Sequence, residues 1–328
     1  MKKLLCILMV LLFQHENVSL AKVVETNRPY TYEKMKDDLE KLNHQYPAVK
    51  VKKIGETHFG RDIYAIRLGK GKKNIVLIGA HHGREWITSM LLMKKLEVYA
   101  DLYQSKREFG SISTDILNDV SIWFIPMLNP DGVTIQQNKL NLFPEKHMKQ
   151  LVSMNDGVEN FERWKANGIG IDLNRQYPAG WKELTDGPPF PFFQFYKGKR
   201  PLAAKEVKAV TKFIRDIHPE IAVAYHSAGR EIFWNYKNGK QLKRDKRIAK
   251  RISTLTGYPL AKPPKHATGG GFTDWFITNY HRPAMTIEVS PLVGETSPPL
   301  SVFKAEWERN KYVGLTLAKE AKSLKKRK

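Results

Sequence analysis

Apolar residues recur along the chain at helical and strand spacings, and these spacings predict the elements. A stripe of Tyr32, Met35, Leu39 and Leu42 predicts an amphipathic helix over residues 31–46 that begins at Thr31. Further helices are predicted over residues 86–104, 204–217 and 300–322, and apolar runs of strand length lie at residues 75–79, 120–128, 221–225 and 283–289. Because apolar strands alternate with helices, the pattern predicts an α/β fold whose sheet is covered on both faces.

Turn signals separate these elements without marking a domain boundary. Residues 129–132 read Asn-Pro-Asp-Gly, which predicts a turn after the strand at 120–128, and Pro219 ends the helix at 204–217. The sequence has neither an internal repeat nor a long Gly/Ser-rich or Pro-rich linker. The simplest interpretation is one compact domain.

The first 21 residues have the layout of a cleaved secretory signal peptide. Lys2 and Lys3 precede an apolar run at residues 4–13, and Ser19 and Ala21 occupy the positions that a signal peptidase reads. A bilayer takes about 20 apolar residues to cross, so this run is too short for a membrane span. We therefore expect residues 22–328 to be secreted, either extracellular or associated with the cell wall, with no stable membrane insertion. A retained membrane anchor is the alternative.

Composition narrows the chemistry and indicates a partner. Cys6 is the only cysteine and lies in the expected signal peptide, so the exported protein has no thiol nucleophile, thiolate metal ligand or disulfide. The formal net charge of +22 attracts polyanions, and for an exported protein an anionic cell wall is favoured over nucleic acid. Residues 237–251 are strongly basic and predict a solvated helix face or loop, otherwise a polyanion contact. The basic tail at residues 325–328 is expected to be disordered.

A first pair of metal-binding side chains lies where a predicted strand gives way to a helix. His82 and Glu85 are three residues apart, and at such a turn this spacing can aim both side chains at one point. Imidazole and carboxylate groups bind zinc, and a catalytic site needs three protein ligands. The pair alone is weakly specific, and His81 is a rival ligand.

Three further segments place polar side chains in apolar surroundings. His226 follows the apolar strand at 221–225, and α/β sheets place their sites at the carboxyl ends of strands. Glu288 interrupts another apolar strand, and a buried glutamate is rarely structural without a partner. Arg175 follows Asn174, and an arginine fork binds carboxylates in a bidentate manner. These residues strengthen the prediction of a zinc site with a carboxylate-binding arginine nearby.

Six motifs in this order resemble those of the carboxypeptidase A-type zinc peptidases. They are His82-x-x-Glu85, Asn129-Pro130-Asp131-Gly132, Asp172-Leu173-Asn174-Arg175, His226-Ser227, Gly270-Gly271-x-x-Asp274-Trp275, and Glu288. The resemblance runs from about residue 30 to about residue 322. Each motif alone is modest, whereas the ordered set is highly specific. The resemblance implies a single α/β domain with a mixed central sheet of about eight strands flanked by helices.

The resemblance also implies a role for each matching residue. It implies one Zn²⁺ per chain, held by His82, Glu85 and His226. Glu288 would accept a proton from the attacking water and deliver it to the leaving amine, while zinc would polarise the scissile carbonyl. Asn174 and Arg175 would grip a substrate carboxylate and so orient the scissile bond.

Two positions depart from the pattern of the animal digestive enzymes in this family. An arginine that stabilises the oxyanion is expected before the Asn-Arg pair; Lys165 falls there, and Arg163 lies two residues away. A substrate-capping tyrosine is expected before the Gly-Gly stretch, where this chain has His266. We therefore assign Lys165 and His266 as catalytic candidates and Arg163 as a substrate-binding candidate. Tyr258 and Tyr280 are more distant sources of a phenol.

Within the family, three segments are similar to a bacterial branch, the γ-D-glutamyl-L-diamino acid peptidases of cell-wall turnover. These segments are residues 163–167, residues 226–229 with 233–234, and residues 269–276. The resemblance implies a peptidase that cuts between γ-D-glutamate and meso-diaminopimelate in peptidoglycan stem peptides. Three alternatives stay open: an ordinary carboxypeptidase that removes C-terminal residues from peptides, an aminoacyl-amide deacylase with the same metal ligands, and a non-catalytic wall-binding protein.

Overall fold

The computed structural model describes residues 22–262 and 268–325, which form helices around a central sheet. The expected signal peptide at residues 1–21 lies outside the described residues, as do residues 326–328 of the basic tail. The described strands are β1 (Val49–Glu56), β2 (Asp62–Leu68), β3 (Lys73–Ile78), β4 (Glu108–Phe109), β5 (Ile112–Ser113), β6 (Val120–Ile125), β7 (Ile221–Ser227), β8 (Glu231–Phe233), β9 (Leu260–Ala261) and β10 (Ala284–Val289). The described α-helices are α1 (Tyr32–Gln45), α2 (Ile87–Gln104), α3 (Pro130–Gln136), α4 (Glu145–Met154), α5 (Lys205–Ile217), α6 (Leu242–Thr256), α7 (Phe272–Tyr280), α8 (Phe303–Asn310) and α9 (Val313–Ser323).

The main sheet has a parallel centre and antiparallel joins towards its margins. In the described part of the chain, eight strands follow the order β1-β2-β6-β3-β7-β10-β8-β9. Strands β6, β3, β7 and β10 run parallel to one another. Antiparallel pairing attaches β2 to β6 on one side and β8 to β10 on the other. The predicted α/β class and the mixed eight-stranded sheet are therefore confirmed.

Alternate residues of the central strands supply two apolar cores, one on each face of the sheet. In β3, Ile75 and Leu77 belong to the core shared with α2, α6, α8 and α9. Val76 and Ile78 belong to the core shared with α5 and α7. All four side chains are fully buried. A strand that is buried on both faces needs a continuous apolar run, and this requirement explains why the sequence predicted β3, β7 and β10.

The predicted helix at 31–46 is confirmed as α1, together with its start. The Thr31 hydroxyl accepts a hydrogen bond from the backbone N–H of Lys34 at 3.1 Å. This cap satisfies one of the backbone donors that a helix leaves unpaired at its N-terminus. The predicted stripe of Met35, Leu39 and Leu42 faces the core. The stripe and the cap together position α1 against the sheet.

The chain after Ile125 differs from the prediction of a strand that reaches residue 128. Pro126 has no backbone N–H, and β6 ends before it. Residues 129–132 then begin helix α3 instead of forming an isolated turn. The side chain of Asn129 accepts from the N–H of Gly132 at 2.9 Å, and Pro130 occupies the first turn of the helix.

The predicted helix at 300–322 is interrupted between α8 and α9. The hydroxyl of Tyr99 donates to the carbonyl of Lys311 at 2.5 Å and accepts from the N–H of Gly314 at 3.2 Å. A side chain that inserts into the backbone ladder is a known cause of a helix break. The interruption is therefore a tertiary effect, which the helical periodicity of the segment did not reveal.

Much of the basic segment at 237–251 lies on α6, as one of its two interpretations predicted. Lys243, Lys246 and Lys250 are exposed on this helix, whereas Ile248 and Ile252 face the core. Among the described helices, none has the length and apolar character needed to cross a bilayer.

Candidate metal and substrate site

Three neighbouring parallel strands bring the candidate residues to one edge of the sheet. The loop after β3 carries His82 and Glu85, β7 carries His226 near its end, and β10 carries Glu288. Because β3, β7 and β10 are adjacent and parallel, their carboxyl ends meet at this edge. His226 and Glu288 lie directly beside each other in the strand register. The sheet topology thus assembles residues that are far apart in the sequence.

His82, Glu85 and His226 form a compact buried cluster. Oε1 of Glu85 lies 2.7 Å from Nδ1 of His82, and Oε2 lies 2.8 Å from Nδ1 of His226. The two Nδ1 atoms are 3.2 Å apart, and one ligand atom from each residue lies within 4.8 Å of the others. Two imidazole nitrogens and a carboxylate directed at one point are the donor set of a catalytic zinc centre. The residues present therefore fit zinc.

Close packing shapes the turn that carries the first two ligands. A β-carbon at position 83 would lie 2.4 Å from the carbonyl oxygen of Gly132, so the approach requires glycine. The N–H of Gly83 donates to the carbonyl of Lys165 at 3.0 Å. His82 keeps an extended backbone, and residues Gly83–Glu85 form a single 3₁₀ turn. This change of backbone direction lets the side chains of His82 and Glu85 converge.

The carboxylate of Asp172 contacts the ring nitrogen of His82 that faces away from the metal cluster. Oδ1 of Asp172 lies 3.1 Å from Nε2 of His82 and accepts from the N–H of Asn174 at 3.0 Å. Asp172 is fully buried, and although burial pushes its pKa up, Lys165 and His82 hold that pKa well below its usual value. An ionised Asp172 favours the proton on Nε2 of His82 and leaves Nδ1 free to bind metal. The sequence had marked Asp172 only as part of a motif and had not assigned it this role.

The electrostatics of the cluster favour the metal-binding forms of Glu85 and His82, whereas at His226 burial is outweighed by Glu85, which raises the pKa of that imidazole. Burial opposes ionisation of Glu85, but His82 and His226 outweigh burial and lower the pKa of Glu85 well below its usual value. Burial lowers the pKa of His82 despite the attraction of Glu85. An ionised carboxylate and a neutral imidazole are the forms that coordinate zinc.

Glu288 lies beside the cluster in the same cleft. Its half-buried side chain lines this cleft together with His82, Glu85 and His226. Burial raises the pKa of Glu288 to about 8; His226 opposes this rise and Glu85 adds to it. A carboxyl group whose pKa lies near neutrality can exchange a proton at physiological pH. The position and pKa of Glu288 suit the predicted role of a general base.

The structure distinguishes between the two cationic candidates at positions 163 and 165. Lys165 lines the cleft, with Nζ 3.4 Å from Oδ2 of Asp172. Arg163 does not line the cleft: its guanidinium donates to the side chain and the carbonyl of Asn155, at 3.2 and 2.6 Å, and stacks on Phe193. The assignment of Arg163 to substrate binding is therefore corrected. Sequence position alone does not distinguish Lys165 from Arg163; the contacts of Arg163 with Asn155, just after α4, and with Phe193 do.

Asn174 and Arg175 lie on the wall of the cleft. The side-chain oxygen of Asn174 accepts from the N–H of Phe272 at 3.0 Å, which ties the Asn-Arg pair to the start of α7. Burial also lowers the pKa of nearby Lys165, while Asp172 opposes that decrease. The cleft thus places cationic side chains beside the metal cluster, as a site for a carboxylate substrate requires.

Other residues considered from the sequence lie elsewhere. His266 falls outside the described residues, so its capping role stays a prediction. His81 is not part of the metal cluster: its Nε2 lies 3.1 Å from the hydroxyl of Tyr177. The hydroxyl of Tyr258 is bonded to Glu306 within the core. Tyr280 packs on Trp275 and is not among the residues that line the cleft.

The cleft also contains charged residues that the sequence interpretation did not assign. It encloses about 350 Å³, and its wall includes Arg84, Glu231 and Asp274. Arg84 lies within the first metal motif, and Asp274 lies within the Gly-Gly motif, so both could have been suspected from their positions. Glu231 lies on β8, a strand of only three residues that has no distinctive apolar run.

Similarities to known proteins agree with this architecture. Gamma-D-glutamyl-L-diamino acid endopeptidase 1 of Lysinibacillus sphaericus is 30% identical over 300 residues, which cover 90% of this chain and 74% of that protein. The uncharacterized protein YqgT of Bacillus subtilis is 28% identical over 284 residues, or 85% of this chain and 74% of that protein. The crystal structure of thrombin activatable fibrinolysis inhibitor matches 94% of this chain and 79% of that chain, with a TM-score of 0.73 and 18% identity. This structural likeness shows the fold.

A family model described as zinc carboxypeptidase matches residues 35–313, which include the metal cluster, the Asn-Arg pair and Glu288. The metal cluster has the donor set that zinc requires. The chain is a zinc-dependent metallopeptidase, and it belongs to the zinc carboxypeptidase family.

Proposed function

We propose that the protein hydrolyses an amide bond in peptidoglycan stem peptides, between γ-D-glutamate and a diamino acid such as meso-diaminopimelate. The similarity to the γ-D-glutamyl-L-diamino acid endopeptidase of Lysinibacillus sphaericus, which extends over most of both chains, carries this proposal. The cleft supports it because a peptide of this kind offers carboxylates to Arg175 and an amide to the metal cluster.

Glu288 moves the proton in the proposed reaction. When bound, zinc supplies a Lewis acid that polarises the scissile carbonyl and makes water a better nucleophile. Glu288 takes a proton from the attacking water and passes it to the nitrogen of the leaving diamino acid. Glu288 lines the cleft beside His226, its neighbour in the strand register, so its carboxylate is placed to make both transfers.

Lys165 and Arg175 divide the negative charges of substrate and transition state between them. Lys165 lies beside Asp172, close to the metal cluster, and stabilises the oxyanion that develops on the carbonyl oxygen. Asn174 and Arg175 hold a carboxylate of the leaving residue and so fix the scissile bond in place. These groups are already positioned by the protein, so little reorganisation is needed during the reaction.

A second function is removal of a C-terminal residue from ordinary peptides. The observation that favours it is the position of Arg175, since an arginine on the cleft wall can receive the terminal carboxylate of any peptide. This activity uses the same metal cluster and the same base. It differs from the first only in the linkage and the side chain that the cleft accepts.

The two functions are distinguished by a direct comparison of substrates. The zinc-loaded protein is incubated with a defined γ-D-glutamyl-meso-diaminopimelate muropeptide. In a separate reaction it is incubated with a plain peptide substrate for removal of the C-terminal residue. Products are identified by mass. We expect cleavage on the amino side of diaminopimelate, at the γ-carbonyl of D-glutamate, with much slower release from the plain peptide. Preferential release of the C-terminal residue from the plain peptide would establish the second function instead.

We further propose that the protein is exported and held on an anionic cell wall by its basic surface. The observations that support this are the net charge of +22 and the exposed lysines of α6, Lys243, Lys246 and Lys250. Retention on isolated walls should fall steeply between about 0.05 and 0.5 M salt, because the Debye length shortens over this range. Replacing the three lysines with glutamine should weaken retention at low salt. Retention that salt leaves unchanged would overturn this part of the proposal.

A further inference from the structure

Glu231 places a second carboxylate directly beside the proposed general base. Strands β8 and β10 are antiparallel, and their register pairs Glu231 with Glu288 and Phe233 with Thr286. Directly opposed residues of an antiparallel pair point to the same face of the sheet. Glu231, Phe233, Thr286 and Glu288 all line the cleft, whereas the intervening pair, Ile232 and Ile287, is fully buried on the other face. Glu231 is therefore part of the cleft wall.

The Glu231 carboxylate is not committed to a structural contact. Within residues 22–262 and 268–325, neither a hydrogen bond nor an ion pair engages it. Its Oε1 lies against the backbone of Gly229, where a β-carbon would come within 3.0 Å. Because Gly229 has no side chain, the Glu231 carboxylate has room to lie beside it. The carboxylate is half-buried on the wall of the cleft, so it can accept a hydrogen bond from a ligand there.

Two acids of the cleft lie together on its strand wall. Glu231 and Glu288 come from the adjoining strands β8 and β10, whereas the cations Arg84, Lys165 and Arg175 come from the loops that follow β3 and precede α5. Among the described residues, the other two acids that line the cleft are the metal ligand Glu85 and Asp274. Two carboxylates directly opposed on neighbouring strands repel each other. A cationic group on the substrate would relieve this repulsion. The strand wall therefore favours an ammonium group on the ligand, while the cationic side chains of the cleft can receive its carboxylates.

We propose that Glu231 determines specificity by accepting the distal ammonium group of the diamino acid residue of the substrate. This inference rests on the proposed function, because it concerns the side chain of the residue that leaves when the γ-D-glutamyl bond is cut. Thr273 and Thr286, which are hydrogen-bonded to each other at 2.8 Å, give the neighbouring wall a neutral polar surface. Glu288 is assigned as the base, so among the described residues of this strand wall Glu231 is the acid that can select an ammonium group over a neutral side chain.

Asp274 is the competing acid in the cleft, but it already has a structural partner. Its Oδ2 accepts from the N–H of Gly269 at 2.7 Å, and Gly269 and Gly270 both have positive φ angles, 96° and 69°. Asp274 thus stabilises the turn before α7. This contact leaves Asp274 less able to reorient towards a ligand than Glu231.

The test uses four peptides that combine two linkages with two states of the distal amine. The linkage is either γ-D-glutamyl or α-L-glutamyl, and the distal amine of the diaminopimelate residue is either free or acetylated. The rate constant kcat/KM is measured for the zinc-loaded wild type and for the Glu231→Gln, Asp274→Asn and Glu108→Gln variants. Glu108 is exposed on β4, away from the cleft, so its variant matches the change in charge alone. Zinc content and thermal unfolding are recorded for each variant, and Glu231→Asp, which keeps the charge, serves if Glu231→Gln folds poorly.

We expect the wild type to prefer the free amine by about 10- to 100-fold, the range of a charge-assisted hydrogen bond, within the γ-D-glutamyl pair. Glu231→Gln should abolish this preference by slowing the free-amine substrate, with the acetylated one changed by less than about threefold; Glu231→Asp should retain part of the preference. An equal decrease of kcat/KM on both substrates in Glu231→Gln overturns the inference, because a residue that acts only through Glu288 would slow both. A loss of the amine preference in Asp274→Asn, with the preference kept in Glu231→Gln, also overturns it. If only the α-L-glutamyl peptides are cleaved, the proposed linkage is refuted, and the preference for the free amine is then measured on those two peptides. If no peptide is cleaved, both the proposed function and this inference are refuted.

Discussion

Oδ1 of Asp172 lies 3.1 Å from Nε2 of His82, so a buried carboxylate determines which ring nitrogen faces the metal cluster. The other oxygen of Asp172 lies 3.4 Å from Nζ of Lys165. One side chain therefore orients a metal ligand and holds the cation that we assign to the oxyanion. This connection couples metal binding to the charge of the cleft.

Replacing Asp172 with asparagine should weaken zinc binding by about 10- to 100-fold, because the charged partner that orients His82 is lost. Competition with a chelator of known affinity measures this change. Removal of the metal by excess chelator should abolish activity in both proteins, and added zinc should restore it. A variant with unchanged zinc affinity would show that His82 is oriented by the fold alone.

Glu288→Gln should lose about 10²- to 10⁴-fold in kcat and keep a full complement of zinc, because the amide cannot take a proton from water. Turnover and metal content are measured on the same preparation. His226→Ala provides the contrast, since it should lose the metal as well as the activity. Normal turnover in Glu288→Gln would contradict its assignment as the base.

Lys165→Ala should lower kcat by about 10²- to 10³-fold with little change in zinc content, as expected for loss of an oxyanion donor. Arg163→Ala is the matched control, because the guanidinium of Arg163 is bonded to Asn155 and not directed into the cleft. Its activity per folded molecule should stay within about threefold of the wild type. A larger kinetic effect in Arg163→Ala than in Lys165→Ala would reverse the assignment.

The parts of the fold that the sequence predicted are those in which local pattern and tertiary environment agree. β3 and β7 are apolar on both faces because both faces are covered, and α1 has its stripe and its cap within one short segment. By contrast, most residues of β1 are not fully buried, and β8 has three residues, so neither has a distinctive pattern. The break between α8 and α9 comes from Tyr99, which is remote in sequence.

Some residues of the candidate site could likewise be predicted from local sequence, whereas others depended on tertiary contacts. His82 and Glu85 share one turn, and the apolar strands around His226 and Glu288 made these two polar residues conspicuous. The choice between Lys165 and Arg163 depended on Asn155 and Phe193, and the place of Glu231 in the cleft depended on the pairing of β8 with β10. Such contacts arise only when distant segments pack together, so they cannot be predicted from the spacing of residues along the chain.

Stability should fall as pH rises because of Glu206, a fully buried carboxyl group on α5. Burial, reinforced by Asp131, raises its pKa from the ordinary 4.5 to about 7. Below about pH 4.5 the group is protonated in both the folded and the unfolded chain, so its contribution to the free energy of unfolding is intact. Between pH 4.5 and 7 the unfolded chain ionises first, and the folded state loses about 3 kcal/mol relative to it.

Glu206→Gln removes this titration and should flatten the decline. At pH 5 the variant should be about 1–2 kcal/mol less stable than the wild type, because its amide lies beside the side-chain amide of Asn167, which donates to Glu206. By pH 8 the difference should have shifted in favour of the variant by about 3 kcal/mol. Urea unfolding of the metal-free proteins at both pH values measures the shift, with Glu108→Gln as the exposed control. Parallel pH profiles for the wild type and Glu206→Gln would mean that Glu206 ionises in the folded chain as easily as in the unfolded one.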